Sequence, residues 1–269
     1  MINLNNVTVC SMHWSNADRR IVDLQKRVFG AFGIIVRQYD KTDTPHGVWM
    51  NEIMTHAKRD EVILFCDIDA IPLNEAVVAS AIATARSGGI FGCAQAANHL
   101  ADSNYIYAGP MFLALSKQTW ISAGCPNFDA HISQEVAMGL SRSAESRNIS
   151  IQLLYPNVVC VPKWRLGEKG VFGIGTFYEC NVFHLFEARS GSIYVDVFSY
   201  VANTVLTRGK IDYLHAIELA ERATQLLRRR GWRDGVLHVL KKGKRFANKG
   251  KITVQTRVAD GLRLSRRSK

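Results

Sequence analysis

The sequence lacks any long apolar run and any close pair of cysteines. No stretch reaches about 18 consecutive apolar residues, the length that marks a membrane-spanning helix. The opening residues, MINLNNVTVCSMHW, have neither the basic start nor the apolar core of a signal peptide. The cysteines are scattered, which argues against a zinc cluster and is typical of reduced thiols. We therefore expect a cytoplasmic protein that is at most peripheral to a membrane.

Acidic residues are scarce in the last quarter of the chain. Residues 201–269 hold 18 of the 34 lysines and arginines but only five of the 23 aspartates and glutamates. The formal net charge of +11 therefore comes wholly from this segment. A length of 269 residues suits one large domain with an appendage. We predict a nearly neutral body over residues 1–205 and a basic, mainly helical extension over residues 206–269.

The first ninety residues alternate between strand and helix patterns. Runs rich in β-branched residues indicate strands, and apolar residues at helical spacing indicate helices. Strands are predicted at 6–12, 33–40 and 61–69, and helices at 16–33 (capped by Asn16), 44–60 and 74–89. This order predicts an α/β fold with a mostly parallel central sheet flanked by helices.

The second half of the body is less regular. Strands are predicted at 89–95, 105–116 and 149–156, and helices at 117–124 and 133–148. The glycine-rich stretch GEKGVFGIGTFY (167–178) has the composition of a lid that closes over a ligand. A plain surface loop is the alternative.

In the stretch VILFCDIDAIPL (62–73), an apolar strand pattern leads directly to two aspartates, Asp67 and Asp69. Side chains two residues apart in a strand share a face, so both carboxylates could converge on one cation. Mg²⁺ and Mn²⁺ favour such oxygen ligands and share them with substrate phosphates. A solvated turn with a capping aspartate is the alternative.

This order of elements resembles the GT-A glycosyltransferases, whose metal motif is Asp-x-Asp. HGVWMNEIMTHAKRDEVILFCDIDAIPL is similar to their stretch from the donor-side helix to that motif, and YAGPMFLALSKQTWISAGCPNFD to their acceptor side. The resemblance covers roughly residues 5–190. It implies a GT-A (Rossmann-like) fold and a hexosyltransferase that uses Mn²⁺ or Mg²⁺. The donor would be a nucleotide-diphosphate sugar, with UDP favoured, and the acceptor a hydroxyl group.

The resemblance also implies a set of metal ligands. Asp69 matches the direct ligand, and Asp67 lies nearer the ribose or the metal. His184, in NVFHLFEAR, matches the histidine that many metal-dependent members add. A buried structural histidine is the alternative at this position. Weaker candidates for the same role are His13, His99 and His131.

Donor contacts are expected just after the first strand. The resemblance places the uracil, or an equivalent base, against Ser11, His13 and Trp14. Arg19 could reach the diphosphate, with an exposed helix arginine as the alternative. Asp40, at the end of the second strand, resembles the acidic residue that faces the nucleoside in this fold.

A catalytic base is needed if transfer inverts the anomeric centre, and we favour inversion slightly. Inverting relatives carry an acidic pair where this chain has Gln134 and Glu135. Glu135 is therefore the first candidate for the base and Asp129 the second. A carboxylate favoured only by the dipole at a helix N-terminus is the alternative for Glu135.

The segment from about Arg228 crowds positive charge around a few apolar residues. Such a surface attracts polyanions, either nucleic-acid phosphates or anionic lipid head groups. The acceptor could thus be DNA with hydroxylated bases, or a lipid-linked or anionic glycan. A solubilising tail is the alternative.

Two other classes compete with a glycosyltransferase. A metal-dependent nucleotidyltransferase also pairs aspartates on an α/β sheet, but it normally has a glycine-rich loop near its first strand. VTVCSMHWSNADRR contains no glycine. A non-catalytic nucleic-acid-binding protein is supported by the basic tail alone.

Overall fold

The structure is a computed structural model that describes residues 2–97, 105–130, 134–186 and 193–228. The chain divides into two compact units, Met1–Arg222 and Ala223–Lys269. In the second unit, the described residues 223–228 are helical. The rest of the predicted basic extension, from residue 229, lies outside the described residues. The functional boundary at residue 205 stays a prediction.

The first unit contains two β-sheets and the helices that cover them. In chain order, its strands are β1 (Val7–His13), β2 (Val36–Asp40), β3 (Val62–Asp67), β4 (Ala70–Pro72), β5 (Ile90–Ala96), β6 (Ile106–Ser116), β7 (Ile151–Leu154), β8 (Pro156–Arg165), β9 (Val171–Tyr178) and β10 (Val182–His184). Its helices are α1 (Arg19–Ala31), α2 (His46–His56), α3 (Glu75–Arg86), α4 (Lys117–Ser122), α5 (Met138–Glu145) and α6 (Val195–Leu206), and residues 213–222 are also helical. Within the described residues, no helix is long and apolar enough to cross a membrane.

The central sheet has the strand order β2-β1-β3-β6-β5-β7. The pairs β1–β2, β1–β3 and β5–β7 are parallel, whereas β6 is antiparallel to both of its neighbours. Five strands therefore run in one direction and β6 runs in the other. The predicted α/β class, a mostly parallel central sheet flanked by helices, is confirmed.

Helices cover both faces of the central sheet, which explains why β3 is apolar without interruption. Leu64 packs on one face with residues of α1 and α3, and Phe65 packs on the other with residues of α2 and α5. All of β3 is buried until Asp67, which is partly exposed. The strand thus ends at the point where the covering layers open.

The second sheet is antiparallel and has the order β4-β10-β9-β8. It corrects the prediction of a lid, because residues 171–178 form the mostly buried strand β9. A Cβ at Gly173 would lie 2.2 Å from the Val161 carbonyl oxygen, and Gly175 has a φ of +64°. The glycines of this stretch therefore permit close pairing with β8 instead of lid motion.

Two helix starts differ from the prediction. The N-cap of α1 is Asp18, whose side chain accepts a hydrogen bond from the Arg20 N–H, and not Asn16. Helix α5 begins at Met138, because Ala137 has a left-handed φ of 65°. Glu135 therefore lies in the loop before α5, where it is not part of a first helical turn.

Candidate metal centre and cavity

Three side chains converge where β3 ends. Nε2 of His184 lies 3.1 Å from Oδ1 of Asp69 and 3.5 Å from Oδ2 of Asp67. One ligand atom from each residue lies within 4.8 Å of the other two. Asp69 and His184 are 5% and 3% exposed, so Asp69 is not in a solvated turn. The imidazole of His184 points at both carboxylates.

The second sheet brings His184 to the aspartates. Strand β10 pairs with β4, which starts immediately after Asp69, and this register places His184 opposite Ala70. The Leu185 N–H also donates to the carbonyl oxygen of Asp69, at 2.9 Å. The backbone hydrogen bonds of this pairing therefore place His184 beside Asp69 independently of the contacts between their side chains.

A buried glutamine on α1 holds the turn that carries the two aspartates. Nε2 of Gln25 donates to the carbonyl oxygens of Asp67, at 2.6 Å, and Ala70, at 3.0 Å. Its Oε1 accepts a hydrogen bond from Gln38, at 3.0 Å. Because Gln25 is fully buried and bonded on both sides of its amide, it fixes the backbone on either side of Asp69.

This donor set fits a divalent cation. Two carboxylates and one imidazole are ligands that Mn²⁺ accepts, and buried carboxylates are costly unless a partner compensates their charge. His184 departs from the usual pattern in one respect. Metal-binding histidines generally donate their other N–H to an acceptor. Nδ1 of His184 is buried and has no hydrogen-bond partner among the described residues.

A cavity of about 390 Å³ opens beside the three side chains. Its wall combines the end of β1, the start of α2, the aspartate turn, strands β5 and β6, and the loop before α5. Its lining includes Met12, His13, Trp14, His46, Asp67, Asp69, Tyr107, Glu135, His184 and Phe186. The cavity therefore places a carboxylate from the second half of the chain in the same space as the metal centre.

The predicted donor contacts divide into two groups. His13 and Trp14 line the cavity, and Nε1 of Trp14 donates to the Thr44 carbonyl oxygen at 3.2 Å. Ser11 is fully buried within β1, and Arg19 and Asp40 are exposed. None of these last three lines the cavity in the described part of the chain. Met12 and His13, the last two residues of β1, both line the cavity, whereas Ser11 lies one residue further back in the strand.

The two candidate bases also have different surroundings. Glu135 lines the cavity near Tyr107. Burial, and then the charge of Glu135, raises the pKa of Tyr107, so this phenol stays protonated. Asp129 is outside the lining and packs against α2, where a Cβ at Gly47 would lie 2.6 Å from Oδ1 of Asp129. Glu135 is therefore accessible to a ligand in the cavity, whereas Asp129 packs against α2.

Sequence reasoning missed His46 and Gln25. Nε2 of His46 lies 3.6 Å from Oδ1 of Asp67, yet nothing in the local sequence singles this histidine out. Gln25 does leave a signal, because it follows Ile21 by four residues on the otherwise apolar face of α1. Of the weaker histidine candidates, His13 lines the cavity outside the group of three. His99 and His131 lie outside the described residues.

No family model matches the sequence, and no curated protein matches it. One similar solved structure is the catalytic domain of Drosophila β1,4-galactosyltransferase 7 in complex with xylobiose. It has 10% identity and a TM-score of 0.37, and the match covers 55% of this chain and 63% of that chain. The chain thus spans less than two thirds of that domain.

Another is 4-diphosphocytidyl-2C-methyl-D-erythritol synthase from Anaerococcus prevotii, with 11% identity and a TM-score of 0.31. That match covers 56% of this chain and 88% of the other. Both likenesses are too weak to assign a reaction.

Proposed function

We propose that the chain is a metal-dependent glycosyltransferase that moves a hexose from a nucleotide-diphosphate donor to a hydroxyl acceptor. The proposal rests on one observation. Asp67, Asp69 and His184 converge at the end of β3, beside a cavity that also contains Glu135. Ligands of α/β sheets collect beyond the carboxyl ends of the strands, which is where this cavity lies.

The four side chains divide the chemistry of sugar transfer between them. The sugar–phosphate bond breaks as an acceptor hydroxyl attacks the anomeric carbon, and negative charge develops on the departing diphosphate. Asp67, Asp69 and His184 would hold Mn²⁺ or Mg²⁺, which when bound neutralises such charge. Glu135 would accept the proton of the attacking hydroxyl, and this role implies inversion at the anomeric carbon.

The nucleoside would bind at the end of β1. His13 and Trp14 line this part of the cavity, and the indole N–H of Trp14 is already bonded to Thr44. This bond holds the indole in one orientation, and we infer that its ring would stack on the base. We favour a uridine nucleotide, and the acceptor is a separate proposal that concerns the basic tail.

The test is a donor screen that identifies the product. Full-length protein is incubated with a panel of nucleotide sugars and Mn²⁺ or Mg²⁺, with EDTA as the control. Release of a nucleoside diphosphate that requires the metal supports the proposal. A parallel reaction supplies a nucleoside triphosphate and a sugar phosphate, from which a nucleotidyltransferase would release pyrophosphate. That product, or no metal-dependent product from any donor, overturns the proposal.

A further inference from the structure

His46 and His184 contact different oxygens of the Asp67 carboxylate. The carboxylate of Asp67 lies between two imidazoles, with Oδ2 3.5 Å from Nε2 of His184 and Oδ1 3.6 Å from Nε2 of His46. His46 is not a member of the group whose ligand atoms converge. Its contact is with Oδ1 of Asp67, whereas His184 contacts Oδ2. The two histidines therefore act on different atoms of one carboxylate.

The ring of His46 is held in place by the core beneath it. It stacks on Trp49, with ring centroids 5.5 Å apart and an interplanar angle of 21°. Trp49 is fully buried and meets Phe65 of β3 edge to face, at 5.5 Å and 77°. His46 therefore rests on a layer that is continuous with the strand that ends in Asp67.

The start of α2 is fixed as well. A Cβ at Gly47 would lie 2.5 Å from Cα of Asp129, so the helix and the 127–129 segment approach as closely as a glycine permits. Asn51, one turn further along α2, accepts a hydrogen bond from the Phe128 N–H at 3.1 Å. These contacts anchor the first turn of α2, and with it the backbone of His46.

We propose that His46 is a positioning residue that orients the Asp67 carboxylate toward the cation. By holding Oδ1, it leaves Oδ2 directed at His184 and the shared ligand position. This inference rests on the metal centre of the proposed function and adds a residue to it. Partners that orient metal ligands from outside the coordination shell typically change metal affinity about 10–100-fold when removed.

The test measures Mn²⁺ binding directly, by isothermal titration calorimetry without donor or acceptor. His46→Phe keeps an aromatic ring on Trp49 but removes both nitrogens, and we expect it to bind Mn²⁺ about 10–100-fold more weakly. His46→Gln restores an N–H donor and should recover part of the affinity. The matched control is His56→Phe, at the other end of α2, where the imidazole is exposed and contacts the Glu52 carbonyl oxygen. It should leave the affinity unchanged.

Melting temperatures without metal establish that each variant folds, and His46→Leu replaces His46→Phe if the latter does not. Wild-type affinity in any folded variant without a nitrogen at this position overturns the inference while the metal centre stands. Equal losses in His46→Phe and His56→Phe also overturn it, because the effect would then belong to the helix. No Mn²⁺ binding by the wild-type chain overturns the metal centre of the proposed function, and the role of His46 with it.

Discussion

At the residue scale, Asp69 is the one buried carboxylate among the residues that the structure describes. Aspartates are rarely buried unless their charge is compensated, and Asp69 is 5% exposed with its Oδ1 against His184. Asp67 is partly exposed, and a buried histidine such as His184 is more common in protein cores than a buried aspartate. Removing the charge of Asp69 is therefore the sharpest single test of the metal centre.

Asp69→Asn keeps the shape of the side chain and removes its charge. We expect Mn²⁺ affinity to fall by more than about 100-fold, since even partners outside a coordination shell contribute up to that amount. Turnover should be lost, whereas the melting temperature without metal should change little. Asp40→Asn is the control, because Asp40 is exposed and does not line the cavity. Retention of most activity by Asp69→Asn would rule out the assignment.

Glu135 is the residue on which an inverting mechanism depends. Glu135→Gln should lower turnover by about 10²–10⁴-fold with little change in donor affinity, as expected when general-base catalysis is lost. The measurement is steady-state kinetics together with a donor titration. Asp129→Asn should leave turnover nearly intact, because Asp129 packs on Gly47 outside the cavity lining. If Asp129→Asn lowers turnover and Glu135→Gln does not, Asp129 is the base. If neither substitution lowers turnover, a retaining mechanism is favoured.

At the element scale, the start of α2 depends on a glycine. Gly47→Ala would place a Cβ 2.5 Å from Cα of Asp129, a backbone atom that cannot move away alone. We expect a loss of about 1–3 kcal/mol in the free energy of unfolding, the usual cost of overpacking. Chemical denaturation measures this change.

A second glycine provides the control for this element. A Cβ at Gly30, near the end of α1, would meet nothing within 4 Å. Gly30→Ala should therefore stabilise the protein by up to about 1 kcal/mol through helix propensity. If the two substitutions have the same effect, the close approach of α2 to Asp129 does not constrain the fold.

At the scale of the whole molecule, the excess positive charge and the candidate site belong to different parts of the sequence. The excess of lysine and arginine lies after residue 200, while the cavity is lined by residues that precede residue 187. We propose that the segment from about Arg228 binds a polyanionic acceptor or surface, either nucleic acid or an anionic glycan or lipid, and carries out no chemistry. Electrostatic binding of this kind weakens steeply with salt, through counterion release when the partner is nucleic acid.

Deleting residues 228–269 tests this proposal. The truncated protein should retain metal-dependent hydrolysis of the donor by water but transfer less sugar to the acceptor. The difference from the full chain should shrink as the salt concentration rises. Circular dichroism first establishes that the truncated protein folds. Equal transfer by both forms at low salt would make the tail a solubilising extension.

The sequence by itself determined the α/β class and the position of β3. These features depend on the periodicity of apolar residues, which neighbouring residues encode. The predicted strand 61–69 was too long at its end, because β3 stops at Asp67 and Asp69 lies in the turn before β4, so alternation along one strand does not bring the two carboxylates together. The sequence also pointed to His184 and Glu135 through a family resemblance. The prediction of a lid over residues 167–178 was wrong, because glycine content does not distinguish a mobile loop from a strand that needs close pairing with its neighbour.

Only the tertiary structure decided which side chains share the cavity. His184 reaches Asp69 through the β4–β10 ladder, Gln25 reaches the aspartate turn from α1, and His46 reaches Asp67 from α2. The same packing removed Ser11 from the site and placed Asp129 against Gly47. These contacts join residues far apart in the chain, and their distances depend on how helices and sheets pack. Local sequence patterns encode the elements, but they do not encode the register between them.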